Sequence, residues 1–255
     1  MAKYTIKRPV DYLDQQRKRN FCIVGPPGVG KTTMVAHAKN PFMLAIDPQG
    51  PIALLNTPSL RQIPFAELLT KREIDDIIKD IINRSNGFDA YETFIVDTLS
   101  MTQTMDLKAL REGAKNTQNK ASQNEWALTN QHMSDALFDL ITLSGANIIV
   151  VCHDKKFYIK NAKMENVLDR VEPSVTPGTL EIMKQMFSGI YYYDKAGTAA
   201  KGEIRKLYTG ANTTKAMTKD RYGLPDTLLN PTWATVEAEI EKIRRRIRKE
   251  EKIDD

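Results

Sequence analysis

The sequence predicts an α/β fold, a mostly parallel sheet flanked by helices on both faces, with antiparallel edge strands and a C-terminal helix. Three observations carry that expectation. Apolar, β-branched runs of strand length recur at Asn20–Val24, Phe42–Ile46, Thr93–Val96 and Asn147–Cys152, and they are continuous rather than alternating, as strands covered on both faces are. Segments of helical periodicity lie between them, and alternating strands and helices build parallel sheets. The first strand also runs straight into a glycine-rich loop and then a helix. A chain of 255 residues is long enough for one large domain with a sizeable core.

Each element follows in order. Residues 1–19 hold six Lys or Arg against two Asp and are read as a basic N-terminal segment ahead of a core over 20–230. After the loop, a helix is expected from Thr33 to about Lys39, and the second strand, Phe42–Ile46, ends at Asp47-Pro48-Gln49-Gly50, where Pro and Gly force a loop. Within Phe65–Arg84, Ile74, Ile77, Ile78, Ile81 and Ile82 recur at helical spacing, and Asn86-Gly87 stops the helix. The third strand, Thr93–Val96, is closed by Asp97. A polar stretch precedes a helix over about Gln123–Leu143, with Trp126, Met133, Leu137 and Leu140 on one face, and the fourth strand is Asn147–Cys152. Between Gly189 and Tyr208, GIYYYD and EIRKLY joined by AGTAAKG suggest a hairpin of antiparallel edge strands. In 231–255, Trp233, Val236, Ile240, Ile243 and Ile247 mark an amphipathic helix; its charges balance, with seven acidic and seven basic residues over 237–255, as for a docked helix with a solvated face.

Composition bounds the class. At 41% hydrophobic and 27% charged residues the chain is an ordinary globular protein, not a collagen-like, low-complexity or disulfide-scaffold one. No apolar run reaches the roughly 18 residues of a membrane span, and the N-terminus lacks a signal peptide's apolar stretch, so no membrane contact and a cytoplasmic location are expected. Cys22 and Cys152 sit in apolar runs as core thiols without a partner at metal spacing, which excludes a structural zinc site. The formal net charge of +5 hints at a polyanionic partner.

Chemistry enters with Gly25-Pro26-Pro27-Gly28-Val29-Gly30-Lys31-Thr32, a full match to the phosphate-loop pattern G-x-x-x-x-G-K-[ST], followed by Thr33. Glycines let backbone N–H groups close around phosphates, the helix start adds its dipole, Lys31 supplies a point charge and Thr32 offers a hydroxyl to Mg²⁺. A plain glycine turn before a helix would not explain Lys31-Thr32. Asp97, ending an apolar strand, fits the carboxylate that holds the Mg²⁺ shell, making Thr32 and Asp97 the metal residues and ATP with Mg²⁺ the expected cofactors. Asp97 could equally cap a helix, and Thr98 follows it rather than a second acid.

With these parts in place, the chain resembles RecA-fold ATPases, and most of all the short RecA-type proteins of bacteriophages that act in single-strand annealing and recombination. The resemblance runs over about residues 18–225: the phosphate loop, a strand ending Ile46-Asp47, the FIVD strand, a polar loop and helix, the strand ending Val151-Cys152-His153, a basic segment, Pro177-Gly178 before a short helix, paired strands, and KDRYGLP at Lys219–Pro225. It implies ATP hydrolysis, a γ-phosphate sensor at His153, single-stranded DNA as partner, a homo-oligomer in filament or ring form, and a single-strand-binding protein as a further partner. The family's general-base glutamate falls where this chain has Gln49; glutamine orients a water but cannot take its proton, so hydrolysis is expected to be slow unless Asp47 serves. The DNA loops fall on residues 108–120, with Lys108, Arg111, Lys115 and Lys120, and on residues 155–170, with Lys155, Lys156, Phe157, Tyr158, Lys160 and Lys163. Phosphates would give affinity there and rings would stack bases; each segment alone also reads as a solvated loop.

Three other readings stand beside this one. A helicase loader of the AAA+ type would carry a second acid after Asp97 and a helical lid, where this chain has Thr98 and strand-like 189–208. A small-metabolite kinase would want an arginine-rich lid, which is not evident. A nucleotide-gated annealing protein with incidental turnover is compatible with Gln49.

Overall fold

The computed structural model describes residues 18–114, 120–197, 203–210 and 216–250; the basic N-terminal segment up to residue 17 lies outside them. In chain order the elements are β1 (Asn20–Gly25), α1 (Lys31–Val35), β2 (Pro41–Ala45), α2 (Gly50–Leu54), β3 (Phe65–Glu67), α3 (Lys71–Asn83), β4 (Thr93–Asp97), α4 (Leu99–Gly113) and α5 (Gln123–Leu143). There follow β5 (Asn147–Lys160), β6 (Asn166–Pro173), α6 (Pro177–Met186), β7 (Gly189–Ala196), β8 (Ile204–Tyr208), β9 (Lys219–Asp220), β10 (Thr227–Leu229) and α7 (Trp233–Glu250). The sheet order is β10-β8-β7-β1-β5-β4-β2-β3, with β6 paired to β5 and β9 to β7. From β7 to β3 every neighbouring pair is parallel, while β8 and β10 extend the sheet antiparallel.

Successive residues of a strand point to opposite faces, and here both faces are buried, which is why the runs read as continuous. Cys22, Val24, Leu44, Phe94, Val96, Val150 and Cys152 face α3 and α5, whereas Phe21, Ile23, Met43, Ile95, Ile149 and Val151 face α1 and α7. The two thiols are fully buried and free, with Cys22 Sγ 3.7 Å from Cys152 Sγ. Trp233, Val236 and Ile240 seat α7 in the second layer, with Trp233 edge-on to Phe21 at 4.8 Å. Thr70 with Glu73, and Ser122 with Glu125, form reciprocal capping boxes that start α3 and α5. No described helix is long and apolar enough to cross a membrane.

Several expectations need correction. The helix after the loop begins at Lys31 and ends at Val35, because α1 is followed by a turn before β2. Residues 65–84 divide into β3, whose Phe65–Glu67 pairs with Met43–Ala45, and α3. The polar stretch after Asp97 is a helix, α4, capped by the Thr98 hydroxyl and burying Leu99, Thr102 and Asp106. Trp126 is 39% exposed, and the buried stripe of α5 is Glu125, Thr129, Met133, Leu137 and Leu140. The hairpin at 189–208 does form, but β7 is interior: it lies parallel to β1 and buries Ile190 through Tyr193, so only its outer neighbours are antiparallel.

Candidate functional site

The parallel register delivers the site residues to one edge. Gly25 at the end of β1 stands level with His153 on β5, and Asp97 at the end of β4 stands level with Val151. The backbone N–H groups of Ile46 and Asp47 both donate to the Asp97 carbonyl, at 2.7 and 2.9 Å, which ties the end of β2 to the same place. A cavity of about 640 Å³ opens there, lined by Pro27, Gly28, Gly30, Lys31, Thr32 and Thr33 of the loop and by Asp47, Gln49, Asp97 and His153. The other loop residues serve differently. Gly25 and Pro26 present carbonyls to Lys31, and the Val29 side chain is buried in the core.

Lys31 is buried, and its Nζ donates to the carbonyls of Gly25 at 2.7 Å and Pro26 at 2.8 Å. Burial lowers the ammonium below the usual lysine range, against the pull of Asp97, Asp154 and Asp47, which favour the charge. Thr32 Oγ1 donates to Asp97 Oδ2 at 2.7 Å. Asp97 is 2% exposed, and its carboxyl is pushed up to about 6 by burial, with the Thr32 hydroxyl opposing, Asp47 reinforcing and Lys31 opposing. Gly50, the first residue of α2, closes against this carboxylate: a Cβ there would stand 2.8 Å from Asp97 Oδ2. A hydroxyl and a carboxylate are hard oxygen donors, and Mg²⁺ is characteristically held by one or two such groups together with substrate phosphates and water. Thr32 and Asp97 therefore fit it.

Asp47 Oδ1 accepts the Gln49 backbone N–H at 3.0 Å, so both candidate water-handling residues share one turn on the cavity wall. His153 is half-buried, and its charged form is disfavoured first by burial and then by Lys31. Its backbone N–H donates to Ser100 Oγ at 3.3 Å, while its Nδ1 has no partner among the described residues.

Beyond His153, β5 leaves the sheet and continues to Lys160, pairing only with β6. The basic segment is thus a projecting hairpin rather than a loop. The register slips at Asp169 on β6, so β5 itself keeps strict alternation: Lys155 and Phe157 point one way, Lys156, Tyr158 and Lys160 the other. The Phe157 ring is covered, with the Arg170 guanidinium 4.1 Å and Lys155 Nζ 5.2 Å from its centroid. Tyr158 is 57% exposed. Lys163 lies exposed in the turn.

The other basic segment is not a loop throughout. Lys108 and Arg111 lie on α4, Lys108 facing Glu112 at 3.9 Å; Lys120 precedes the Ser122 cap of α5; Lys115 lies outside the described residues. Leu99 shares a small apolar cavity with Ile78 and Leu137, Asp106 meets Lys71 at 3.5 Å and His132 Nδ1 at 3.0 Å, and Gly113 shares a groove with Asn124. Helix α4 is therefore antiparallel to α3 and α5, which run back toward the starts of β4 and β5. It follows that α4 runs outward, toward the same sheet edge as the β5–β6 hairpin; Lys108 and Lys120 are exposed there, whereas Arg111 is half-buried with its Nε shielded from solvent.

Six cavity residues were not among those expected at the site: Gly50, Ala53, Asn56, Thr57, Thr98 and Arg205. Gly50 was visible only as a turn residue, and nothing local distinguishes Arg205 within a short edge strand.

The sheet order, with β5 between the phosphate-loop strand and the Asp97 strand, and the site at the strand ends define a P-loop nucleotide-binding domain. The chain belongs to the AAA domain family, which matches residues 17–222. Among solved structures it is similar to the RadB recombinase, at 12% identity over 83% of this chain and 84% of that one, with a TM-score of 0.46. No curated protein sequence matches it.

Proposed function

We propose that the protein binds and hydrolyses ATP with Mg²⁺ and acts on single-stranded DNA in recombination or strand annealing. The carrying observation is the Thr32–Asp97 hydrogen bond at 2.7 Å, beneath a complete phosphate loop, on the strand edge from which β5 continues as a basic hairpin. Loop N–H groups and the Lys31 ammonium bind the phosphates, and Lys31 trades its two carbonyl partners for phosphate oxygens. Thr32 and Asp97 hold Mg²⁺, which when bound neutralises charge developing on the phosphates. Asp47 takes the proton of the attacking water and Gln49 orients that water. His153 senses the γ-phosphate, and because it lies in the same strand as Lys156, Tyr158 and Lys160, a shift at its position moves the hairpin. The chain works as a homo-oligomer, a ring or filament, alongside a single-strand-binding protein.

Steady-state ATP turnover with and without a single-stranded oligonucleotide tests this reading, and stimulation by DNA is expected. Turnover that depends on a protein partner instead would favour a loader, although residues 189–208 contribute strands rather than a helical lid among the described residues. Annealing gated by ATP binding without turnover would favour the gated binder, which the exposed Gln49 on the cavity wall makes the second reading. Absence of both ATP binding and DNA binding would refute all three.

A further inference from the structure

Arg205 is bound into the structure by its backbone. Its N–H donates to Asn230 Oδ1 at 2.8 Å and its carbonyl accepts the Asn230 N–H at 2.7 Å, so the start of β8 is fixed against the residue that follows β10. From there the guanidinium reaches over the phosphate loop. Gly30 has φ of 92°, and a Cβ built on it would meet Arg205 Cζ at 3.2 Å. The guanidinium lines the same cavity as the Tyr193 side chain, and no carboxylate pairs with it among the described residues; Glu203, two residues away, is engaged by Lys195 at 3.0 Å. A guanidinium without a counter-ion at the rim of an anion-binding loop is placed for an anionic ligand.

A second cavity, of about 320 Å³, begins where the first ends. The two share Thr33 and Arg205, and the second is lined further by His37, Tyr193, Asn230 and Thr232. That volume lies at the low end for small-molecule sites, roughly 300–1,000 Å³. Asp97, Asp47 and His153 mark the far end of the phosphate cavity as the metal and γ-phosphate end. A nucleotide laid along the loop from that end must leave it past Thr33, under Arg205.

We infer that Arg205 contacts the nucleotide where its phosphates join the nucleoside, and that the cavity beyond it takes the ribose and base. This rests on the phosphate-loop reading and extends it with a residue supplied by the same chain.

The test is calorimetric titration of the full chain with ATP and, separately, with inorganic tripolyphosphate, which has no nucleoside. Arg205→Ala is expected to raise the Kd for ATP roughly tenfold or more, as removal of a charge-assisted hydrogen bond does, and to weaken tripolyphosphate as well. Arg205→Gln, which keeps the stem's packing, should behave like Arg205→Ala, so a folding defect in the alanine variant does not decide the matter. His37→Trp places a bulky ring in the second cavity and should weaken ATP to a similar degree while leaving tripolyphosphate within about twofold. Wild-type ATP affinity in both Arg205 variants would overturn the assignment of Arg205, and wild-type ATP affinity in His37→Trp would overturn the nucleoside cavity. A wild-type protein that binds neither ligand would instead remove the phosphate-loop reading, and this inference with it.

Discussion

Asp97→Asn separates the folding cost of the site from its function. In the folded protein the Asp97 carboxyl is raised from 3.8 to about 6, first by burial. At about 1.4 kcal/mol per pH unit, the folded state forgoes about 3 kcal/mol of stability when this group ionises. The sign follows from the direction of the shift. Between 3.8 and 6 the folded protein holds a proton that the unfolded chain has released, so stability is full below the lower value and is lost as pH rises through the upper one. Above pH 7 without metal, the wild type carries nearly the whole penalty. Asparagine keeps an oxygen to accept the Thr32 hydroxyl and has no charge to bury, though its amide N–H groups must find partners in the cavity. In EDTA at pH 8, Asp97→Asn should therefore melt higher by several degrees, since about 2–4 °C accompanies each kcal/mol for a chain of this size. That advantage should shrink steadily as pH falls and vanish near pH 4. Adding Mg²⁺ and ATP should reverse the order, because in the proposed metal site only the carboxylate would complete the Mg²⁺ shell. Thermal unfolding across pH, with and without Mg²⁺ and ATP, reads all of this; a variant that is less stable at pH 8 in EDTA, or a difference independent of pH, would refute it.

Lys31→Ala should lower ATP affinity at least roughly tenfold while leaving the fold intact, because it removes the charge at the mouth of the loop; unchanged binding by titration would remove Lys31 from the site. Asp47→Asn should lower ATP turnover, general-base help being typically worth about 10²–10⁴-fold, and Gln49→Glu, which adds a second carboxylate on the same turn, should raise it by less. If steady-state rates move in neither variant, the end of β2 does not handle the attacking water. Replacing Lys155, Lys156 and Lys160 together should flatten the dependence of single-strand affinity on log salt, by up to about 0.7 for each phosphate no longer neutralised. Tyr158→Ala should lower affinity at every salt concentration by roughly 1–3 kcal/mol with the slope kept, and Phe157→Ala should cost less because its ring is already covered by Arg170 and Lys155. Fluorescence anisotropy of a labelled oligonucleotide distinguishes these, and equal weakening in the two aromatic variants would contradict the two-faced hairpin.

The sheet and the phosphate cavity were legible because their causes are local. A strand buried on both faces must be apolar throughout, and a phosphate loop must carry its glycines, Lys31 and Thr32 in sequence. Asp97 could be added because strand ends meet at one edge of a parallel sheet. Helix α4 was illegible for the opposite reason. It turns Thr102 and Asp106 inward, and Asp106 is compensated by His132 and Lys71 from neighbouring helices. A periodicity that counts apolar residues sees no stripe there, since burial of a charge is made tolerable by partners that come from elsewhere in the fold.

The same distinction explains why the basic segments were located but misjudged in form. Their charge is a property of composition, whereas their projection beyond the sheet edge is set by direction. Helix α4 must run outward because α3 and α5 each return to the start of the next strand, and β5 must project because β6, rather than a sheet neighbour, pairs with it past His153. Alternation along β5 then assigns Lys156, Tyr158 and Lys160 to one face and leaves Phe157 under Arg170 on the other. A linear reading of KKFYIK counts two rings for stacking; in the folded hairpin one is already occupied. Any DNA groove built here is accordingly one-sided, with Tyr158 between two lysines, and its nearest route to the Asp97 end of the phosphate-loop cavity is the strand it shares with His153.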